Sequence, residues 1–137
     1  IVPTMRFDKK LLDDLTRQAK ENPRLRQNLD LRTSPADTSQ RMLNALEPET
    51  VVPIHRHNTT TETVAVIRGK IKQCMYDNDG NETETFIAGP GEDCVGFSVP
   101  VGVWHRSISL ESGTVILESK DGAFTPISKE DILEPQN

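Results

Sequence analysis

From residue 41 onward, glycine and proline interrupt the chain so often that only strand-length runs remain between them. The runs read as strands are 41–46, 62–68, 70–76, 82–87, 94–99, 104–110 and 114–120. Gly69, Asp77-Asn78-Asp79-Gly80, Gly89-Pro90-Gly91, Pro100-Val101-Gly102 and Glu111-Ser112-Gly113 separate them, and the Asp-Gly pair is a hairpin signal. Ahead of these, Leu25, Leu29 and Leu31 share one parity and Ser34-Pro35-Ala36-Asp37 reads as a turn. The expectation is an all-β, antiparallel double-sheet or closed barrel of the jelly-roll kind.

One segment breaks the pattern. Leu11, Leu12, Leu15 and Ala19 repeat at helical spacing, Asp8 is placed to cap the start, and Asn22-Pro23 supplies the stop. A short amphipathic helix that covers one side of a sheet is expected. Near the end, Ser128 with Asp131 predicts a final helical turn before Pro135.

At 137 residues the chain is sized for one domain. Its 34% hydrophobic and 27% charged residues lie well inside the folded range. A net charge of -5 without a lysine or arginine block excludes a nucleic-acid footprint or an anionic membrane as partner, because both need a concentrated positive field. What remains is a small molecule, a metal ion or another subunit. Cys74 and Cys94 lie far apart, so neither a disulfide framework nor a thiolate zinc site is indicated. No apolar run approaches the roughly 20 residues of a membrane span, and Ile1-Val2-Pro3-Thr4-Met5 lacks the features of a signal peptide. A reduced, cytoplasmic location is the expectation.

The chemistry concentrates in three histidines, His55, His57 and His105. On an extended strand alternate side chains share a face, so His55 and His57 can converge on one point. Glu62 follows at the opening of the next strand, and His105 arrives after Pro100-Val101-Gly102. Three neutral imidazoles and a carboxylate suit a divalent transition metal such as Zn, Fe, Mn or Ni, and an octahedral shell built on them keeps two positions open. Singly, each histidine is more often a surface or hydrogen-bonded residue than a ligand.

These residues fall into two motifs that resemble those of the cupin superfamily. The first, His-x-His followed by Glu and Gly, is met by His55-Arg56-His57, Glu62 and Gly69; the second, Pro-x-Gly-x-x-His, is met by Pro100-Val101-Gly102-Val103-Trp104-His105. Departures fall at Glu49, Cys94 and Ser109, where the pattern has glycine, glycine and asparagine; none of these is a ligand position. Further runs, among them 23–26, 40–46, Asp79-Gly80, Trp104-His105 and 118–122, are similar to cupin-fold metalloproteins of the WbuC type. The resemblance implies a double-stranded β-helix at 24–127 behind a helical segment at 1–23, with a tail at 128–137. It implies a metal held by His55, His57, Glu62 and His105, and a link to surface-polysaccharide biosynthesis.

Parity sketches the rest of the pocket. With His105 inward, Ser107 and Ser109 share its face while Trp104, Arg106 and Ile108 turn away; Glu62, Val64 and Val66 form a wall below the metal. On the strand at 41–46, either Arg41, Leu43 and Ala45 or Met42, Asn44 and Leu46 point inward, and sequence does not choose between them. Arg41 and Glu49 are candidates for anchor and base, and Asn44 and Tyr76 for further pocket groups. The leading expectation is a metal-dependent isomerase, epimerase or lyase acting on a sugar or nucleotide-sugar. The alternatives are a sugar-binding or sensory module and an iron-dependent dioxygenase. The exposed edges of a two-sheet barrel also lead to the expectation of a homodimer.

Overall fold

A computed structural model describes residues 3–133. Ile1, Val2 and residues 134–137 of the expected tail, Pro135 included, lie outside the described residues. The elements are α1 (Lys9–Glu21), β1 (Arg26–Asp30), β2 (Ser39–Leu46), β3 (Ile54–His55), β4 (Glu62–Arg68), β5 (Ile71–Tyr76), β6 (Glu82–Ala88), β7 (Gly96–Val99), β8 (Trp104–Ser109), β9 (Thr114–Asp121) and β10 (Ile132–Leu133). They form two antiparallel five-stranded sheets, ordered β1-β2-β9-β4-β7 and β10-β3-β8-β5-β6. This is the expected jelly roll. Among the described residues, no helix is long and apolar enough to cross a membrane.

Register decides which side chains the barrel encloses. Along β9, Thr114, Ile116, Glu118 and Lys120 alternate with outward residues, and they pair with Leu46, Asn44, Met42 and Gln40 of β2. On the other side of β9, Val66, Val64 and Glu62 of β4 fall at the same levels. The inner apolar cluster is Leu46, Val64, Val66, Ile71, Ala88 and Ile116, drawn from both sheets. The outer face of the first sheet offers Leu43, Ala45 and Val115, which α1 covers with Leu12, Leu15 and Ala19. Burying a leucine, isoleucine or valine side chain in these clusters stabilises the fold by about 1.5–3 kcal/mol each.

The helix begins where expected, with Asp8 Oδ1 accepting from the Leu11 amide at 3.0 Å. Arg68, at the end of β4, fastens it by donating to Asp13 Oδ1 at 2.6 Å and to Thr16 Oγ1 at 3.0 Å. Gly69 follows at φ +86°, and a Cβ there would sit 2.7 Å from the Thr114 Cα, so the motif glycine is a packing requirement.

The sequence reading departs from the structure mainly at strand ends and at two very short strands. Pairing adds Ser39, Gln40, Ala88 and Asp121 to strands, and Lys70, Cys94, Val95 and Leu110 drop out. Strands β3 and β10 have two residues each, too few to show a period, and exist because Ile132 pairs with His55 and Leu133 with Ile54. The turn expected at Ser128 is a 3-10 helix over Lys129–Asp131, and Ser128 bonds to the Asp131 carboxylate at 3.1 Å without capping a backbone amide.

Candidate metal centre

Only His55 of the His-x-His pair lies in a strand; Arg56 and His57 continue into the loop that leads to β4. Convergence therefore does not rest on a shared strand face, as the alternation suggested. His55 sits directly across from His105 in the β3–β8 pairing, with ring centroids 4.4 Å apart, and the loop swings His57 to 5.0 Å from His55 and 5.4 Å from His105. One donor nitrogen from each of the three lies within 4.8 Å of the other two. Glu62, at the start of β4 on the opposite sheet, closes the group, with its oxygens 3.4 Å from His57 Nε2 and 3.3 Å from His105 Nε2.

The hydrogen bonds around the ring nitrogens define what these atoms can do. His55 Nδ1 is 2.8 Å from the Pro53 carbonyl and His105 Nδ1 is 2.9 Å from the Val103 carbonyl. A carbonyl only accepts, so both protons are assigned to Nδ1 and both Nε2 atoms present lone pairs inward. His57 Nε2 and His105 Nε2 are buried without an aligned hydrogen bond, even though Glu62 lies close to each. At His105 the inward lone pair faces a Glu62 oxygen at 3.3 Å, and the two repel unless a cation lies between them. The donor set therefore fits a divalent transition metal, and the outward N–H···O=C bonds are the support that metal-ligating imidazoles ordinarily receive.

Electrostatics agree with this reading. Burial and the neighbouring His105 push His55 down to about 4, so it is neutral at pH 7 and keeps its lone pair. Burial alone would raise Glu62, but contact with His105 and His57 and the charge of Lys120 outweigh it and hold the carboxyl well below the usual carboxylate range. Lys120 Nζ lies 3.2 Å from Glu62 Oε2. A cavity of about 690 Å³ opens beside the cluster, lined by His55, His57 and Lys120 and rimmed by the segment that includes Phe124 and Ile127. That volume is in the range of small-molecule sites.

The other candidates separate by register. The inward set on β2 is Met42, Asn44 and Leu46, so Asn44 faces the interior. Arg41 faces away, bonded to the Ser39 carbonyl at 2.6 Å and paired with Asp37 at 3.2 Å, and is no pocket anchor. Glu49 is exposed in the loop after β2, away from the residues that line the cavity. Tyr76 pairs across from Trp104 on the outer face of the second sheet, where its hydroxyl accepts from Arg106 Nε at 3.0 Å. It too lies outside the pocket.

Three interior polar residues escape a reading by sequence alone: Lys120, Glu118 and Gln73. Glu118 accepts from Asn44 Nδ2 at 3.3 Å, and burial together with the Glu62 charge pushes its carboxyl up to about 7. It keeps some accessible surface even though the barrel walls enclose it. Gln73 pairs across from Ser107 one level below His105 and is fully buried. Alternation along each strand was legible, but the register of β9 against β4, which puts Lys120 beside Glu62, carries no local signal.

Comparison with known proteins places this geometry in context. The fold is similar to KdgF from Halomonas sp., with a TM-score of 0.58 at 17% identity, over 74% of this chain and 82% of that one. It is also similar to an oxalate oxidase in complex with glycolate, with a TM-score of 0.62 at 17% identity, over 78% of this chain and 56% of that one. A third likeness is to the capsular polysaccharide assembling protein CapF from Staphylococcus aureus, with a TM-score of 0.62 at 22% identity, over 73% of this chain and 27% of that one. The chain thus spans only part of the latter two, and the barrel they share with it is the cupin fold. No curated protein matches it in sequence. A family model does match, over residues 7–88, which is more than half of the chain and includes His55, His57 and Glu62. The chain therefore belongs to the family described as Domain of unknown function (DUF6016).

Proposed function

We propose that this protein is a metal-dependent cupin enzyme that holds one divalent transition ion (Zn, Fe, Mn or Ni) through His55, His57, Glu62 and His105. Its substrate is a small polar molecule, a sugar or nucleotide-sugar of surface-polysaccharide synthesis, and its chemistry is of the isomerase, epimerase or lyase type. The observation that carries the reading is the pair of buried Nε2 atoms, on His57 and His105, that face Glu62 without a hydrogen bond. When bound, a divalent ion supplies Lewis acidity toward a substrate carbonyl or hydroxyl. The chain's own residues do the rest. His55 and His105 are fixed in one tautomer by Pro53 and Val103, Lys120 offers a positive charge at the cavity wall, and Glu118 gives the interior a second carboxyl able to hold a proton. The substrate class is supported by the resemblance to WbuC-type cupins and by the fold likeness to a capsular polysaccharide assembling protein.

Metal analysis of protein purified without a nickel column tests the reading. One ion per chain, lost in His105→Ala and His57→Ala variants that remain folded, is the expected result. A folded wild-type chain that takes up no transition metal on dialysis against Zn, Fe, Mn and Ni overturns it. Turnover that persists without oxygen separates the isomerase class from an iron-dependent dioxygenase.

A further inference from the structure

The segment between β9 and β10 crosses from one sheet to the other and lines the cavity beside the histidine cluster. Its ends are fastened. Gly122 donates its amide N–H to the Thr38 carbonyl at 2.7 Å, and its own carbonyl accepts from Gln40 Nε2 at 2.8 Å. At the far end the Asp131 carboxylate accepts from Ser128 Oγ at 3.1 Å and from Arg56 Nε at 2.9 Å. Between these anchors residues 123–127 make no backbone hydrogen bond to another described residue. Two large apolar side chains stand on this stretch, Phe124 at 55% exposed and Ile127 at 41%, and among the described residues they are the only exposed large hydrophobics that line the cavity. Phe124 is nonetheless held in place. The Arg32 guanidinium lies 5.6 Å from its ring centroid, and Arg32 is itself fixed by Asp30, to which Nε and Nη2 donate at 3.0 and 2.7 Å.

We propose that Phe124, backed by Arg32, and Ile127 form the wall on which a ring of the ligand lies, so that the molecule bound here carries an apolar ring face as well as the polar group that meets the metal residues. This rests on the reading of the cavity as the place where substrate reaches the metal. Single exposed apolar residues are ordinary on a protein surface, but these two share one concave space with His55, His57 and Lys120. Small-molecule sites combine such apolar walls with a few polar groups that set orientation, and an aromatic side chain buries a large area against a flat partner. The cavity, about 690 Å³, suits a ring-bearing small molecule. A ligand the size of acetate on the metal residues would leave Phe124 and Ile127 in water. An aromatic ring and the C–H face of a pyranose share the required chemistry, and the choice of probes separates them.

Calorimetric titration of the zinc-loaded full chain with three hydroxamic acids tests the wall. Acetohydroxamate, benzohydroxamate and cyclohexanecarbohydroxamate share one metal-binding head and differ in the body: a methyl group, an aromatic ring, and a saturated ring that presents C–H groups as a pyranose does. At least one ring-bearing probe should bind about tenfold more tightly than acetohydroxamate, the effect of burying one ring face. Which ring gains more tells an aromatic ligand from a sugar-like one. Phe124→Ser should remove most of that advantage with zinc content unchanged, and Phe124→Leu should keep part of it. Phe7→Ser, at an exposed phenylalanine that does not line the cavity, should leave it as in wild type. Equal affinity for all three probes, or an advantage that persists in Phe124→Ser, overturns the wall and leaves the metal centre standing; persistence together with a shift from dimer to monomer assigns the two side chains to a contact between copies. If the wild-type chain takes up no zinc, the metal reading falls, and saturation-transfer NMR on the same chain with benzyl alcohol and cyclohexylmethanol against ethanol decides the wall. Ring signals that vanish in Phe124→Ser support it, and ring signals that are absent or unchanged overturn it.

Discussion

The guanidinium of Arg56 lies 4.4 Å from the ring centroid of Trp104, joining the residue between the first two imidazoles to the residue just before the third. Arg56 Nε also donates to Asp131 Oδ1 at 2.9 Å, and the Arg56 amide donates to the Asp131 carbonyl at 3.0 Å. The two motif segments, far apart in sequence, are thus clamped from behind by one stacked and ion-paired side chain.

Arg56→Ala should therefore weaken zinc binding by about tenfold, in the range seen when support behind metal ligands is removed. Arg56→Lys should recover little of this, because an ammonium neither stacks on the indole as a plane nor holds the guanidinium geometry. Competition with a chromophoric chelator at fixed pH measures both. Equal affinity in all three proteins would show that the clamp does not tension the site.

Lys120→Met should move two quantities in opposite directions. The lysine is the only full positive charge in contact with Glu62 among the described residues, at 3.2 Å, and their side chains are 15% and 6% exposed. Without a metal, its loss strands a buried carboxylate and costs on the order of 2 kcal/mol of stability. With a metal, its loss removes a like charge beside the cation and frees Glu62 to ligate, so affinity rises several-fold. Urea denaturation of the chelator-treated protein and metal titration of the folded protein read the two effects. Movement of both in the same direction contradicts the placement of Lys120.

Glu118→Gln should change how stability depends on pH. In the folded chain the carboxyl is pushed up to about 7, with burial the first cause, from an ordinary 4.5. Between these values the folded state keeps a proton that the unfolded chain has released, so the contribution of Glu118 to stability falls as pH rises through that window. His55, pushed down to about 4, works the other way and favours the folded state as pH rises toward 6.5. The difference between wild type and Glu118→Gln isolates the first group. In metal-free protein the variant should gain relative to wild type from about pH 5 to pH 7, by on the order of 2 kcal/mol. Urea midpoints of both proteins at pH 5, 6, 7 and 8 measure it, and a pH-independent difference contradicts the assignment.

What could be read in the sequence, and what could not, divides along physical lines. The spacing of Leu12, Leu15 and Ala19 and the Asp8 cap are local properties, and they specify the helix. The strand 62–68 begins and ends as expected because Gly69 stops it with a backbone conformation other residues resist. The four residues of the candidate metal centre were legible as types at a spacing. How they meet was not, because His57 leaves the strand and reaches His105 through a loop. Asn44 was one of two open parity sets, and only the β2–β9 register selects it. Arg41, Glu49 and Tyr76 have the right chemistry on the wrong face or in the wrong loop, and that is fixed by pairing between strands distant in sequence.

Gly69→Ala provides the sharpest test of that long-range pairing. The residue has φ +86°, which costs a side-chain-bearing residue about 1–2 kcal/mol by itself. The added Cβ would also lie 2.7 Å from the Thr114 Cα, where strand β9 begins, and neither backbone can give way without disturbing the β4–β9 ladder. Gly122 has φ +89° with nothing within 4 Å of where a Cβ would stand, so Gly122→Ala carries the conformational penalty alone. Gly69→Ala should therefore lose about 3 kcal/mol and Gly122→Ala about 1 kcal/mol. Since the same β4–β9 ladder holds Glu62 in register, the larger loss should be accompanied by weaker zinc binding, and the smaller one should not. Urea unfolding and chelator competition on the two variants decide it, and equal losses at the two glycines would mean that β4 and β9 do not meet as closely as described.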